Sequence, residues 1–374
     1  MLIESITLKN FKRIDDLTIR FVNTAADEIA RQFLILGDNG TGKTTVLQAI
    51  ALCLSMASRQ IRDIHDFEWT GWVAARYWRR GKPEIEMTVR FTDDELNATR
   101  EAAKRWFDIK GLSNRHFVEP DGGKIVRIGL FGDRFWVNEP HKQLQGPEQY
   151  LFRGRGYAAS ILEEDPSARE LFERLPGVFW FDQFRNLATS KSLRQVANDD
   201  QSGSASGSDD VTYEVGISRL RRYLIGWKLQ QLQHSSRPGK SNYLQELEEN
   251  FQRIFPTRTF ADLEPMYSNA PSPSDYYFLL SDGCKTYDLQ EMSAGEQAVF
   301  PMLYEFVRQR ISNSIVLIDE IDLNLHPPLA QALLASLPKI GPACQFIFTT
   351  HSRAISELVS PHAIHRMEGG RTCL

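Results

Sequence analysis

The sequence predicts an α/β protein with a mixed sheet, and three stretches carry that prediction. "FLILGDNGTGKTTVLQAIALCL", Phe33 to Leu54, runs from a buried strand through a glycine-rich loop into a helix with Val46, Leu47, Ile50 and Leu54 on one face. "SIVLIDE" and "CQFIFTTHS" are two short β-rich runs on either side of the helical "LAQALLASL". That is a βαβ unit, and its two strands should lie parallel in one sheet. At the N-terminus Leu2, Ile3, Ile6 and Leu8 alternate as a strand, "KNFKRIDD" turns, and "LTIRF" resumes, which gives a separate layer of stacked strands.

The remaining elements follow in order. "EIEMTVRF" alternates Ile85, Met87, Val89 and Phe91 inward, and "VRIGLFGDRFWV" reads as a further strand pair. Residues 197–211, "ANDDQSGSASGSDDV", have almost no apolar side chains and are expected to form a flexible loop. Two helices are expected next, about Tyr213 to His234 and Ser241 to Ile254, so residues 212–256 form a helical insert between an N-terminal and a C-terminal lobe. "YYFLLSDGCKTYDL" is a hairpin turning at Asp282 and Gly283. In "EMSAGEQAVF", Ser293 and Glu296 make a capping box for a helix whose apolar face is Val299, Phe300, Leu303, Phe306 and Val307.

Composition narrows the function class. With 374 residues, 42% hydrophobic and 25% charged, the chain has the balance of a soluble globular protein with a substantial core. A net charge of −4 and a pI of ≈ 6.1 give no global field for nucleic acid, so any such binding must be local. Cys53, Cys284, Cys344 and Cys373 form no CxxC pair, and the first residues lack a signal layout, which suits a reducing cytoplasm. No apolar run reaches the ~20 residues that span a bilayer.

"GDNGTGKT" fits G-x-x-x-x-G-K-[ST] and stands between a strand and a helix, as phosphate binding demands. Gly37, Asn39, Gly40 and Gly42 allow the backbone to wrap a phosphate, and Thr45 stands in the first turn behind them. Lys43 is expected to bridge the β- and γ-phosphates of ATP, and the Thr44 hydroxyl to ligate Mg²⁺. "IVLIDE" then delivers Asp319 to the metal shell and Glu320 to a position where it takes a proton from attacking water. Two adjacent acids at a strand end call for a cation. His351, ending the next strand in "FTTHS", should reach the same sheet edge, where an imidazole can hydrogen-bond a γ-phosphate or the water. His326 in "LHPP" also reads as an ordinary turn into a helix.

In this order "GDNGTGKT", "MSAGEQ", "IVLIDEIDLNLHP" and "TTHS" resemble the ABC-type ATPases shared by SMC proteins, Rad50, RecF and the overcoming-lysogenization-defect (OLD) family. "MSAGEQ" stands where that family has LSGGQ, with Met292, Ala294 and Glu296 departing from it. The resemblance implies an ABC-ATPase head, a P-loop core with an N-terminal antiparallel layer. It implies that Ser293, Gly295 and Glu296 serve the γ-phosphate of ATP held on the opposite protomer of a homodimer or higher even oligomer. It also implies a glutamine reaching Mg²⁺. Gln183 in "FWFDQFRN" is the candidate, with Gln143 and Gln145 as rivals. "LKNFKRIDDLTIRF" resembles the entry of Rad50 and RecF, so Lys12 and Arg13 are expected near the nucleotide; a solvated basic turn is the other reading.

From Lys43 to Ser293 there are 250 residues, a far longer insert than in transporter ATPases, yet without the heptads of an SMC or Rad50 arm. "LIDEIDLNLHP" resembles the OLD and Septu PtuA branch, also seen in the ATPase of the PARIS system. OLD nucleases continue into a Toprim domain, whereas 23 residues follow His351, so no nuclease is expected on this chain. Two functions remain open: an antiviral-defence ATPase controlling a separately encoded effector, a nuclease or toxin, or a RecF-like repair ATPase that binds DNA. "EWTGWVAARYWRRGK" interleaves Trp69, Trp72, Tyr77 and Trp78 with Arg76, Arg79, Arg80 and Lys82. It is either a DNA grip that stacks bases or an amphipathic element whose aromatics pack.

Overall fold

The computed structural model describes residues 1–77, 81–111, 117–140, 146–182, 213–234, 242–268, 272 and 275–368. Gln143, Gln145, Gln183, Trp78, Arg79, Arg80 and the expected loop 197–211 lie outside the described residues. The chain divides into two compact units, each discontinuous in sequence.

The first unit comprises Met1–Gln183, Arg310–Asp322 and Gly341–Leu374. It opens with β1 (Leu2–Phe11) and β2 (Ile14–Arg20), a tighter hairpin than the sequence suggests, since Phe11 pairs with Ile14 and only Lys12 and Arg13 make the turn. β3 (Val22–Asn23) and β4 (Glu28–Ile29) form a small ribbon before β5 (Gln32–Leu36) and α1 (Lys43–Ala57). β6 (Glu84–Arg90), α2 (Asp93–Ile109), β7 (Ile125–Phe131), β8 (Arg134–Val137), α3 (Gly154–Ala159) and β9 (Val178–Phe181) follow.

β2-β1-β6-β7-β8 form one antiparallel sheet, and the period-2 pattern of β6 buries Ile85, Met87 and Val89. α2 has a capping box on Thr92 and Glu95; its charged first turn, "DDE", masks that signal in a reading weighted to apolar runs. α1 is apolar nearly all round, which marks a helix enclosed on every side. It packs against β6, β7 and β8 of the antiparallel sheet and against β9 and one other strand of a second sheet.

That second sheet is wholly parallel, in the order β15-β5-β14-β13-β9, with β13 (Ile315–Ile318), β14 (Gln345–Thr350) and β15 (Ile364–Arg366). β13 and β14 are buried at every residue, as expected of strands covered on both faces. The carboxyl ends of β5, β13 and β14 therefore share one sheet edge. "VFWF", β9, joins β13 there, although its four residues give little sequence signal.

The second unit comprises Phe184–Gln309 and Leu323–Ile340. It contains α4 (Tyr213–His234), α5 (Tyr243–Gln252), a three-stranded sheet of β10 (Thr259–Pro265), β11 (Tyr276–Ser281) and β12 (Thr286–Asp288), then α6 (Ala294–Gln309) and α7 (Pro327–Ile340). The two expected helices and the hairpin are present, and β10 adds a strand to them. α5 packs on α6 through Phe251 and Phe300, whose rings meet edge to face at 5.2 Å. The buried Arg221 of α4 pairs with Asp288 at the end of β12. No helix among the described residues is long and apolar enough to cross a membrane.

Candidate nucleotide and metal site

The loop from Gly37 to Gly42 joins the end of β5 to the start of α1. Gly40 and Gly42 hold φ of 82° and 99°, the left-handed region that favours glycine. Gly42 caps α1 without any side-chain hydrogen bond, and the helix has no acid in its first turn. Its positive end is thus left for an anion, with Thr44 and Thr45 in the first turn. Lys43 is only 6% exposed and donates from Nζ to the carbonyls of Gly37 at 2.8 Å and Asp38 at 2.9 Å, so the loop closes around its own ammonium. Burial pushes the Lys43 ammonium down, opposed by Glu320, Asp319, Asp38 and Asp322.

Two acids follow β13. Asp319 is 1% exposed and accepts from Thr44 Oγ1 at 2.8 Å and from Thr349 Oγ1 at 2.6 Å. Burial holds its carboxyl above the usual range, the two hydroxyls pull it down, and the charges of Glu320 and Asp182 push it up. A buried carboxylate beside a threonine hydroxyl is a pair of hard oxygen donors, which fits Mg²⁺ completed by phosphate and water. Glu320 holds a φ of 46°, and its N–H donates to Thr349 Oγ1 at 2.8 Å. Thr349 carries no motif weight of its own, and sequence reasoning passes over it.

A cavity of ≈ 320 Å³ gathers Lys12, Arg13, Asn39, Gly40, Gly42, Lys43, Thr44, Thr45 and Glu320. Nine of the residues expected near nucleotide from the sequence therefore line one space, large enough for a nucleotide-sized ligand. The β1–β2 turn delivers Lys12, at φ 55°, which donates to Gln48 Oε1 at 2.6 Å and lies 5.3 Å over the ring of Trp72. His351 is exposed one residue beyond β14 and is not among the lining residues. Its neighbour Thr350 donates to Asp322 Oδ1 at 2.5 Å.

Gly71, Val73 and Arg76 complete the wall. They come from the tryptophan- and arginine-rich stretch, and its described aromatics pack inward. Trp69 is 5% exposed and stacks on Trp180 at 6.2 Å and 9°, while Tyr77 is fully buried edge-on to Phe11. Trp72 is half-buried and stacks on Phe11. Thr70 anchors the stretch by donating to Asp182 Oδ2 at 2.5 Å, at the end of β9. The packing of Trp69, Trp72 and Tyr77 is that of an amphipathic element.

In the second unit, α6 begins at the "SAGE" stretch. Ser293 N–H and Oγ donate to Glu296 Oε2 at 2.7 and 2.8 Å, so the expected capping contact is present. Glu296 is 2% exposed, and its other oxygen accepts from Arg258 Nε at 2.6 Å and Tyr287 Oη at 2.7 Å. Burial acts to raise the Glu296 carboxyl, but the bonds from Tyr287, Arg258 and Ser293 hold it below the usual range. Gly295 packs toward the segment before α7, where a Cβ would approach the Asn324 carbonyl to 3.4 Å. Arg258, just before β10, and Tyr287, in β12, belong to no motif, which is why sequence reasoning misses them.

A family model described as "AAA domain, putative AbiEii toxin, Type IV TA system" matches residues 33–357. Over 97% of its length the chain is 20% identical to "Retron Vc95 probable ATPase" of Vibrio cholerae, covering 72% of that protein. Over 94% it is 22% identical to "Septu protein PtuA" of Bacillus mycoides, and over 34% it is 27% identical to "DNA replication and repair protein RecF" of Leptospira interrogans. It spans only 38% of that PtuA and 36% of that RecF. The family match runs from the strand that enters the glycine loop to Glu357, past His351, and on that extent the chain belongs to this AAA-domain family.

Proposed function

We propose that this protein is a cytoplasmic ATP-binding and ATP-hydrolysing switch, and that it regulates a separately encoded effector in bacterial antiviral defence. The observation that carries the ATPase part is the convergence of Lys43, Thr44 and Glu320 on one cavity, with Asp319 bonded to Thr44. The retron and Septu relatives support the defence context.

In this reading the amides of the glycine loop and Lys43 hold the β- and γ-phosphates, and Thr44 and Asp319 hold Mg²⁺. Held there, Mg²⁺ would supply positive charge to offset the charge that develops in phosphoryl transfer. Glu320 accepts the proton of the attacking water, and the Lys43 ammonium stays in place to balance the transferred phosphoryl group. Lys12 and Arg13 add positive charge beside the phosphates, and His351 orients the γ-phosphate or the water. Gln183, directly after the buried Asp182, is the proposed further ligand of Mg²⁺.

ATP closes a homodimer, or a higher even oligomer, by bringing Ser293 and Gly295 of the partner to the γ-phosphate, with Glu296 holding that Ser293. The chain forms one ATPase head from its N- and C-terminal lobes, with residues 212–256 inserted between them. Effector control follows from this assembly, since a surface made by two heads exists only while ATP is held.

The test is affinity capture of the Glu320→Gln variant from its native host with and without Mg²⁺·ATP, next to sedimentation of the purified protein. The proposal expects ATP-dependent dimers and ATP-dependent recovery of a protein encoded beside this gene. Salt-sensitive DNA binding with no protein partner would favour the RecF-like reading, which the RecF similarity keeps in view, and monomers at saturating ATP would overturn the dimer in either reading.

A further inference from the structure

Thr349 is the penultimate residue of β14 and fully buried, and it holds three consecutive residues that follow β13. Its hydroxyl donates to Asp319 Oδ1 at 2.6 Å and accepts from the Glu320 N–H at 2.8 Å, while its carbonyl accepts from the Ile321 N–H at 3.0 Å. The parallel register sets this up: Ile318 pairs with Phe348, so the next residue on each strand, Asp319 and Thr349, meet at the sheet edge. Glu320 stands at φ 46°, a conformation uncommon for a residue with a side chain and one that needs support from its surroundings. The hydroxyl supplies that support at the N–H of Glu320, and with the same atom it fixes the rotamer of Asp319.

We propose that Thr349 is a positioning residue for ATP hydrolysis, its hydroxyl setting both the Asp319 carboxylate and the backbone turn that carries Glu320. This rests on the reading of the cavity as an ATPase site. The residue is fully buried and does not line the cavity, so it acts through the two acids. Orienting contacts of this kind carry large effects, because a small displacement of the proton acceptor lowers the rate while binding is retained.

Thr349→Val tests it, because valine keeps the shape, the burial and the carbonyl bond to Ile321 and removes only the hydroxyl. Thr349→Ser restores the hydroxyl without the methyl group. In the nucleotide-free protein, amide exchange at Glu320 should quicken about tenfold or more in Thr349→Val and stay near wild type in Thr349→Ser. The Ile321 amide, protected through the carbonyl, should be unchanged in both and serves as the folding control. In steady-state kinetics Thr349→Val should lose about 10- to 100-fold in kcat with little change in KM for ATP, and Thr349→Ser should recover most of it. Wild-type kcat in Thr349→Val overturns the proposal, as does a loss that Thr349→Ser fails to rescue. If the wild type hydrolyses no ATP while the exchange pattern appears as described, the ATPase reading itself falls and the hydroxyl is a fold contact alone.

Discussion

Asp319→Asn should make the ligand-free protein harder to unfold and at the same time remove most of the stability it gains from Mg²⁺·ATP. Asp319 is 1% exposed, and burial is the largest reason its carboxyl lies above the usual range. An acid raised in this way stabilises the fold below its unfolded pKa, and that contribution is lost as pH rises through the folded one. At pH 7.5 in EDTA the ionised carboxylate therefore weighs against the fold. The neutral amide removes that cost and keeps both contacts, accepting from Thr349 and donating to Thr44, whose hydroxyl can turn.

A gain on the order of 1 kcal/mol is typical of a single site. The unit that holds the site has roughly 230 residues, so 1 kcal/mol is worth about 2–4 °C in Tm. Mg²⁺·ATP at 100 times its Kd adds about 2.7 kcal/mol to the wild type, or about 5–10 °C, and little to a variant without the carboxylate. Scanning fluorimetry in EDTA and then in Mg²⁺·ATP should show the order of the two proteins invert, with the EDTA difference closing as pH falls toward the carboxylate range. A wild type more stable than Asp319→Asn in EDTA, or equal shifts with Mg²⁺·ATP, would refute the reasoning.

Three more outcomes are expected. The Arg155 guanidinium donates to the carbonyls of Phe172, Leu175 and Arg310 and is pushed down to about 10 by burial, so Arg155→Met should cost about 3 kcal/mol in thermal unfolding by leaving those carbonyls unpaired. Arg258→Met releases one of the bonds that hold Glu296 and should slow hydrolysis with ATP affinity unchanged in calorimetry, whereas equal kcat would make Arg258 a surface contact. Lys43→Ala and Ser293→Arg should each be inactive alone, and a mixture with verified subunit exchange should recover about a quarter of wild-type activity if Ser293 serves the partner's site. No recovery would mean coupled sites or action within one chain.

The parts of the site that the sequence reveals are those where chemistry restricts residue type at fixed spacing. The phosphate loop needs glycine at positive φ and a lysine at the helix start, so Gly40, Gly42 and Lys43 are readable without coordinates. Asp319 and Glu320 are readable because an apolar strand ending in two acids is costly without a cation. Thr349, Arg76, Arg258 and Tyr287 are not, because each matters through a neighbour brought close by sheet register or by a packed loop. Arg76 also shows how composition leaves readings open: interleaved tryptophan and arginine fits nucleic acid and equally fits a wall whose rings pack inward, and the burial of Trp69 and Tyr77 supports the second. α2 and β9 escape a reading based on apolar periodicity, one through its charged first turn and the other through its brevity.

Single-turnover hydrolysis of γ-labelled ATP by wild type and Glu320→Gln, with Lys43→Ala beside them, tests most directly whether this cavity is an ATPase site. The expected result is phosphate release by the wild type, ATP retained uncleaved by Glu320→Gln, and neither retention nor release by Lys43→Ala. Equal cleavage by the wild type and Glu320→Gln would contradict the role of Glu320, and ATP retained by Lys43→Ala as by Glu320→Gln would remove the nucleotide from this cavity altogether.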